Sequence, residues 1–351
     1  MRDPHESARR GPGRSRTRLA ALLLLLVGGA AMIGCRSLPK AEVEQRLVGL
    51  SKNAPAVEAG VRTLRFTFAP SEGAKPVEAE LSYVRFPARC DEASRGVPIV
   101  CVHPTPSSLF SFVEVASGVG ADGERFRGLD EAHDVVLIDV VGHGVTRTKL
   151  RSYDFQTCAR WVAAAIEALG LEGVALIGNS YGGEFCWRAA LDRPDLVSRL
   201  VLVDSSGYER EPDDFLSEEK AMRRLPGASL GWVLNSRERV RNALAPHFRD
   251  LDEERLTEVF TTLENADNWG ATVDLVRDEE GHRAGELPQL GMPTLLVWGA
   301  DDLAFDVERY ARRFERDIPN ARLVVFDETG HYPQEERPRR FAETVLEFLS
   351  E

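Results

Sequence analysis

The chain has no excess of positive charge: 44 lysines and arginines stand against 56 acidic residues, a formal net charge of −12 at pH 7. Nucleic acid binding needs a basic face that releases phosphate counterions, so nucleic acid is not an expected partner. Long apolar runs are missing too. The most apolar stretch, Leu19 to Val27, is too short for a membrane span. The five cysteines follow neither a disulfide-staple nor a metal-ligand spacing. No metal cluster, dinucleotide fingerprint or phosphate loop is visible, and no cofactor is expected. Internal repeats and low-complexity blocks are absent. What remains is 43% hydrophobic and 28% charged, near the average for soluble globular proteins. At 351 residues it can bury a large core, and one core with an insertion is expected.

The first 34 residues are of a different kind. Arg9, Arg10, Arg14, Arg16 and Arg18 precede the apolar run, and small residues lead to Gly34-Cys35, the layout of a secretory signal peptide. Met32-Ile33-Gly34-Cys35 resembles the lipobox of bacterial lipoproteins. That resemblance implies removal of residues 1–34, lipidation at Cys35 and export to the cell envelope; Arg36 after the cysteine favours the outer membrane in a cell that has two. An ordinary signal peptide with an incidental cysteine and an uncleaved signal anchor are the alternatives. The mature chain would carry a net charge of −16, repelled by anionic lipid, so the acyl chains, at about 0.8 kcal/mol per buried methylene, would have to hold it. Residues 35–60 read as a tether followed by a short helical piece. Cys101 and Cys186 lie in apolar stretches and are expected as buried free thiols; an exported location leaves disulfides open for Cys90 and Cys158.

From residue 61 the grammar is that of an α/β fold. Val61 to Ala69 and Val77 to Phe86 read as an antiparallel hairpin around Ser71-Glu72-Gly73. Short unbroken apolar strands follow, at Pro98–Val102, Val135–Asp139, Val174–Ile177, Leu200–Asp204, Thr294–Trp298 and Leu323–Phe326, alternating with amphipathic helices. Unbroken hydrophobicity means that both faces of each strand are covered, as in a doubly wound, mostly parallel sheet. Between 205 and 288 the strands stop and charged helical spacing takes over, at Glu218–Arg224 and Glu253–Leu263. This segment reads as a helical cap inserted into a core of residues 61–204 and 289–351.

Gly178-Asn179-Ser180-Tyr181-Gly182 is a G-x-S-x-G pattern, which average composition produces by chance in roughly one chain of this length in ten. Its position gives it weight. Ser180 follows the strand Val174–Ile177 and opens a helix, so it sits on a sharp strand-to-helix turn with glycines to accommodate it. On these residues the chain resembles the α/β-hydrolase superfamily over about residues 60–350. The resemblance implies a serine hydrolase whose nucleophile, acid and histidine follow in that order. Ser180 is then the nucleophile. Asp302, in Gly299-Ala300-Asp301-Asp302, is similar to the family's acid turn, with Asp204 as a rival position. His331, in Thr329-Gly330-His331, is the general base. His143 matches a structural loop. After His103 the family's glycine is replaced by Pro104, which puts the oxyanion donors at the N–H groups of Thr105 and Tyr181, with Thr105 flanked by two prolines.

The expected substrate is a small molecule with an ester-like carbonyl. Gly178-Asn179-Ser180 also resembles the turn of carbon–carbon bond hydrolases, and a non-catalytic binding protein on the same fold is the alternative from another class. Phe215, Leu225, Leu230, Trp232, Leu234 and Trp269 offer the cap apolar surface, either for a pocket or for packing.

Overall fold

The computed structural model describes residues 37–351, apart from 213, 216, 225–235 and 280. The leader, Cys35 and four of the cap's apolar candidates, Leu225, Leu230, Trp232 and Leu234, lie outside the described residues.

Nine strands form one sheet: β1 (Arg62–Phe68), β2 (Val77–Phe86), β3 (Ile99–Val102), β4 (Val135–Ile138), β5 (Arg147–Thr148), β6 (Val174–Asn179), β7 (Val197–Val203), β8 (Thr294–Gly299) and β9 (Ala321–Phe326). They lie in the order β1-β2-β4-β3-β6-β7-β8-β9, with β5 on β2. β1 and β2 pair antiparallel, as do β2 and β4, and the strands from β4 through β9 run parallel. This is the doubly wound α/β arrangement expected. The central strands β3, β4, β6 and β8 are buried along their whole length because helices cover both faces. One layer packs around Phe155, Trp161, Phe185 and Trp187, the other around Phe112, Phe341 and Val345. β7 starts three residues before its apolar run, where Ser198 and Arg199 are half-buried, and the two residues of β5 carry no periodicity to read.

Residues 38–59 hold more helix than the short piece expected after a tether. They form helices Lys40–Val48 and Ala54–Ala59, with Val43, Leu47 and Ala56 fully buried against the core. Only Val43 and Leu47, one helical turn apart, face inward from the first helix, so its composition reads as polar. The Leu38 N–H donates to the Glu264 carbonyl at 3.0 Å, and Asn265 Nδ2 returns a bond to the Leu38 carbonyl at 2.7 Å.

Between β7 and β8 the described residues hold four α-helices, Ser217–Arg224, Arg237–Leu244, Glu253–Leu263 and Ala266–Asp278. No helix among the described residues is long and apolar enough to cross a membrane. The four described cysteines are free thiols, and Cys101, Cys158 and Cys186 are buried.

Candidate active site

Ser180 joins β6 to helix Tyr181–Asp192 with φ 57° and ψ −125°, a conformation that costs a side-chain-bearing residue energy and must be held by its surroundings. The Ser180 N–H donates to the Val203 carbonyl at 2.9 Å, and its own carbonyl accepts from Ser206 at 3.2 Å. Close approach does the rest. A Cβ on Gly178 would lie 2.4 Å from the Gly182 carbonyl oxygen, and one on Gly182 would lie 2.4 Å from that of His103. The glycines therefore let the helix start directly against β6 and the end of β3. The hydroxyl is left at the helix N-terminus, where developing negative charge is favoured.

Two carboxylates approach from neighbouring strand ends. Asp302, after β8, accepts the Nδ1–H of His331, after β9, at 2.8 Å, with both residues buried. That bond fixes the tautomer and leaves Nε2 as the unprotonated nitrogen, and His331 and Ser180 line the same cavity. Asp204, directly after β7, accepts the Gly299 N–H at 3.0 Å, and its carboxyl lies within 4.8 Å of the nearest polar atoms of both Asp302 and His331. Burial, and then the charge of Asp302, push the Asp204 carboxyl well above the usual carboxylate range. Asp302 is held below that range, against its burial, by His331 and by its hydrogen bonds. The proton is thus favoured on Asp204 over Asp302. Asp204, Asp302 and His331 lie close enough together to share a cation, and here Asp302 and His331 are bonded to each other.

The loop after β3 is braced by two neutral histidines. His103 Nδ1 donates to the Pro104 carbonyl at 2.8 Å while Nε2 accepts the Val140 N–H at 3.0 Å. His143 Nδ1 donates to the Val141 carbonyl at 3.1 Å, which makes Nε2 the acceptor for the Thr105 hydroxyl at 2.9 Å. Burial lowers His103 to about 4, and burial with His103 nearby lowers His143 to about 3, so neither carries charge at neutral pH. The amides of Thr105 and Tyr181 donate to no protein acceptor among the described residues.

The cavity over these groups is narrow, about 110 Å³, and its apolar wall comes from Met222, Val240, Leu244, Val259 and Val276 of the inserted helices and from Phe305. At its edge Arg210 Nη2 donates to Glu219 and to Glu279, each at 2.7 Å. The guanidinium lies 4.1 Å from the Phe215 ring, and the Tyr181 hydroxyl donates to Glu279 at 2.6 Å.

A family model described as the alpha/beta hydrolase fold matches residues 97–338. The chain belongs to the α/β-hydrolase family. An uncharacterized hydrolase of Bacillus subtilis is 28% identical over 256 residues, covering 72% of this hydrolase and 89% of the relative. A 2-hydroxy-6-oxononadienedioate/2-hydroxy-6-oxononatrienedioate hydrolase of a Pseudomonas species is 30% identical over 249 residues, covering 67% and 85%. A solved esterase of Thermogutta terrifontis superposes with a TM-score of 0.64 at 20% identity, covering 82% of this chain and 98% of its own.

The structure brings Ser180, Asp302, His331, Thr105 and Tyr181 of this hydrolase together, and it adds residues that the sequence did not single out. One of them is His247, in the inserted segment. It lines the cavity, its ring centroid lies 5.6 Å from that of His331, and its carbonyl accepts the His331 N–H at 2.8 Å. Arg210 and Glu279 carry no motif, and only the folded cap makes them neighbours. Of the apolar cap candidates described, Phe215 packs under Arg210 and Trp269 against the core, and neither lines the cavity.

Proposed function

We propose that this hydrolase cleaves carboxylic esters through an acyl-enzyme. Ser180 Oγ attacks the carbonyl as His331 Nε2 takes its proton; the imidazolium then gives that proton to the leaving alkoxide. Asp302 holds the ring in the right tautomer and stabilises its charge. The amides of Thr105 and Tyr181 face the tetrahedral oxyanion. Water repeats the cycle on the acyl-enzyme and frees the acid. The observation that carries this reading is the 2.8 Å His331–Asp302 bond beside a cavity that Ser180 enters from a strained strand-to-helix turn. A fluorophosphonate should label the parent chain and not Ser180→Ala; a folded parent that resists labelling would sink the proposal.

Carbon–carbon bond cleavage is the second reading, favoured by the Pseudomonas relative at 30% identity. That relative is named for a dicarboxylate. Here the charge of the cavity's arginine is already balanced by Glu219 and Glu279, and its remaining wall is largely apolar, which suits a neutral ester better. A panel of p-nitrophenyl esters of rising acyl length, run beside a vinylogous 1,5-diketone acid, separates the two. For location we propose a lipid anchor at Cys35, on the strength of the arginine-rich leader and Met32-Ile33-Gly34-Cys35. Cys35→Ser should abolish palmitate incorporation and globomycin-sensitive processing, and unchanged maturation would refute the anchor.

A further inference from the structure

Lys52 stands on the turn Ser51–Asn53, in the segment between Cys35 and the sheet, and its side chain is only 7% exposed. Nζ lies 2.6 Å from Glu258 Oε2, on helix Glu253–Leu263, and 4.0 Å from Glu335 Oε2, on the short helix that starts two residues after His331. Arg255 closes the ring, with Nη1 3.1 Å from Glu258 Oε1 and Nη2 3.1 Å from Glu335 Oε1. Two cations and two carboxylates are thus buried together. Against burial, which would raise it, Lys52 and Arg255 hold the Glu258 carboxyl down to about 2.

Hydrogen bonds leave this ring in two directions. Toward the oxyanion loop, Ser108 Oγ donates to Glu258 at 2.8 Å and Arg255 Nη1 donates to Ser107 Oγ at 3.0 Å, next to Thr105-Pro106. Toward the base, Ser111 Oγ donates to Glu335 at 2.6 Å. Gln334 Nε2 donates to Ser111 Oγ at 3.2 Å and to Asn179 Oδ1 at 3.1 Å, and Asn179 Nδ2 donates to the His331 carbonyl at 3.1 Å. The two loops that supply the oxyanion amide and the base are therefore tied to one charge ring. Well-packed apolar residues often stabilise a fold as well as a buried ion cluster does, whereas removing one member leaves an uncompensated charge.

We propose that Lys52 is a positioning residue for the hydrolysis, through which the segment between the anchor cysteine and the sheet fixes the oxyanion and base loops. This rests on the serine-hydrolase reading above. Without Lys52 the ring keeps a surplus negative charge, and the serine bonds to Glu258 and Glu335 rearrange to relieve it. Thr105 and His331 then lose their placement while the substrate-binding wall stays intact.

The test uses the full chain in detergent, with variants Lys52→Met, Lys52→Met/Glu258→Gln and Ser108→Ala. Ester hydrolysis, the rate of fluorophosphonate labelling and thermal melting are read for each. Lys52→Met should lower kcat and the labelling rate 10- to 100-fold with KM within about twofold, in keeping with partial loss of an oxyanion donor. The double variant restores neutrality and should recover at least fivefold. Ser108→Ala breaks one bond without removing a charge and should lower kcat about fivefold at unchanged KM, so it keeps the test decisive if Lys52→Met does not fold. Folded variants that label at the parental rate would overturn the proposal, as would a Lys52→Met loss that only tracks the unfolded fraction. A parent chain that does not label at Ser180 refutes the underlying reading instead.

Discussion

Asp204 and Asp302 both end strands at the site, and their surroundings shift their carboxyls in opposite directions, Asp204 upward and Asp302 downward, so replacing each by asparagine should have opposite consequences. Asp302 interacts with His331 across 2.8 Å, between side chains that are 0% and 5% exposed. As the imidazolium forms, an ion pair at that separation gains about 4–6 kcal/mol at an effective dielectric near 20. Asparagine keeps the shape and removes the charge. At 1.36 kcal/mol per factor of ten, Asp302→Asn should lower kcat/KM by about 10³- to 10⁴-fold. Stability should change by only about 1 kcal/mol, because the buried pair of carboxyls is relieved as the charged hydrogen bond to His331 is weakened. Asp204 is the carboxyl that burial and the charge of Asp302 push toward its protonated form. Its amide replacement can accept the Gly299 N–H and donate toward Asp302, and asparagine tolerates the φ of 41° at that position. Asp204→Asn should therefore stay within about threefold of the parent. The assay is p-nitrophenyl butyrate hydrolysis on chains matched by thermal melting. A thousandfold loss in Asp204→Asn, with more than a tenth of activity kept in Asp302→Asn, would show that the charged acid has been misassigned.

Gly182→Ala should lose about 1–3 kcal/mol of stability and more than tenfold in kcat, because its Cβ meets the carbonyl oxygens of His103 at 2.4 Å and Val102 at 2.6 Å, and neither backbone can withdraw without moving Thr105 away from Tyr181. A parental melting temperature together with parental kcat would contradict this. Glu114 is raised to about 7, by burial first and by Glu335 in addition, with Lys52 acting against the shift. The native state then holds this proton more tightly than the unfolded chain, so the contribution of Glu114 to stability falls as pH rises from about 4.5 through 7 and stays lost above it. Glu114→Gln should be stabilised by about 1–2 kcal/mol at pH 8 and by little at pH 4.5; a gap from the parent that is equal at both pH values would rule out the titration as its source.

The core was legible because its strands are covered on both faces and read as unbroken apolar runs, and because the position of Ser180, Asp302 and His331 after β6, β8 and β9 follows from strand order alone. The family's acid turn put Asp302 ahead of Asp204 without excluding the rival. Both residues end strands, and what separates them is a hydrogen bond to His331 and opposite shifts of their carboxyls, which depend on side-chain distances. The N-terminal helix was misread for a local reason, since only two of its nine residues are buried apolar side chains.

The same logic explains why the site's supporting residues carried no signal. Lys52, Arg255, Glu258 and Glu335 come from three separate elements, and each alone has the composition of a solvated face. Charge reads as surface in a sequence because burial is costly, and the cost is met here by partners far along the chain. Arg210 follows the same rule, flanked by Glu219 and Glu279. On the serine-hydrolase reading proposed for this protein, the strand order places the reacting atoms, while buried charge pairs recruited from the N-terminal segment and the cap hold the loops around them. Substitutions that neutralise a whole pair should therefore be milder than those that remove one partner, and Lys52→Met compared with Lys52→Met/Glu258→Gln measures that difference.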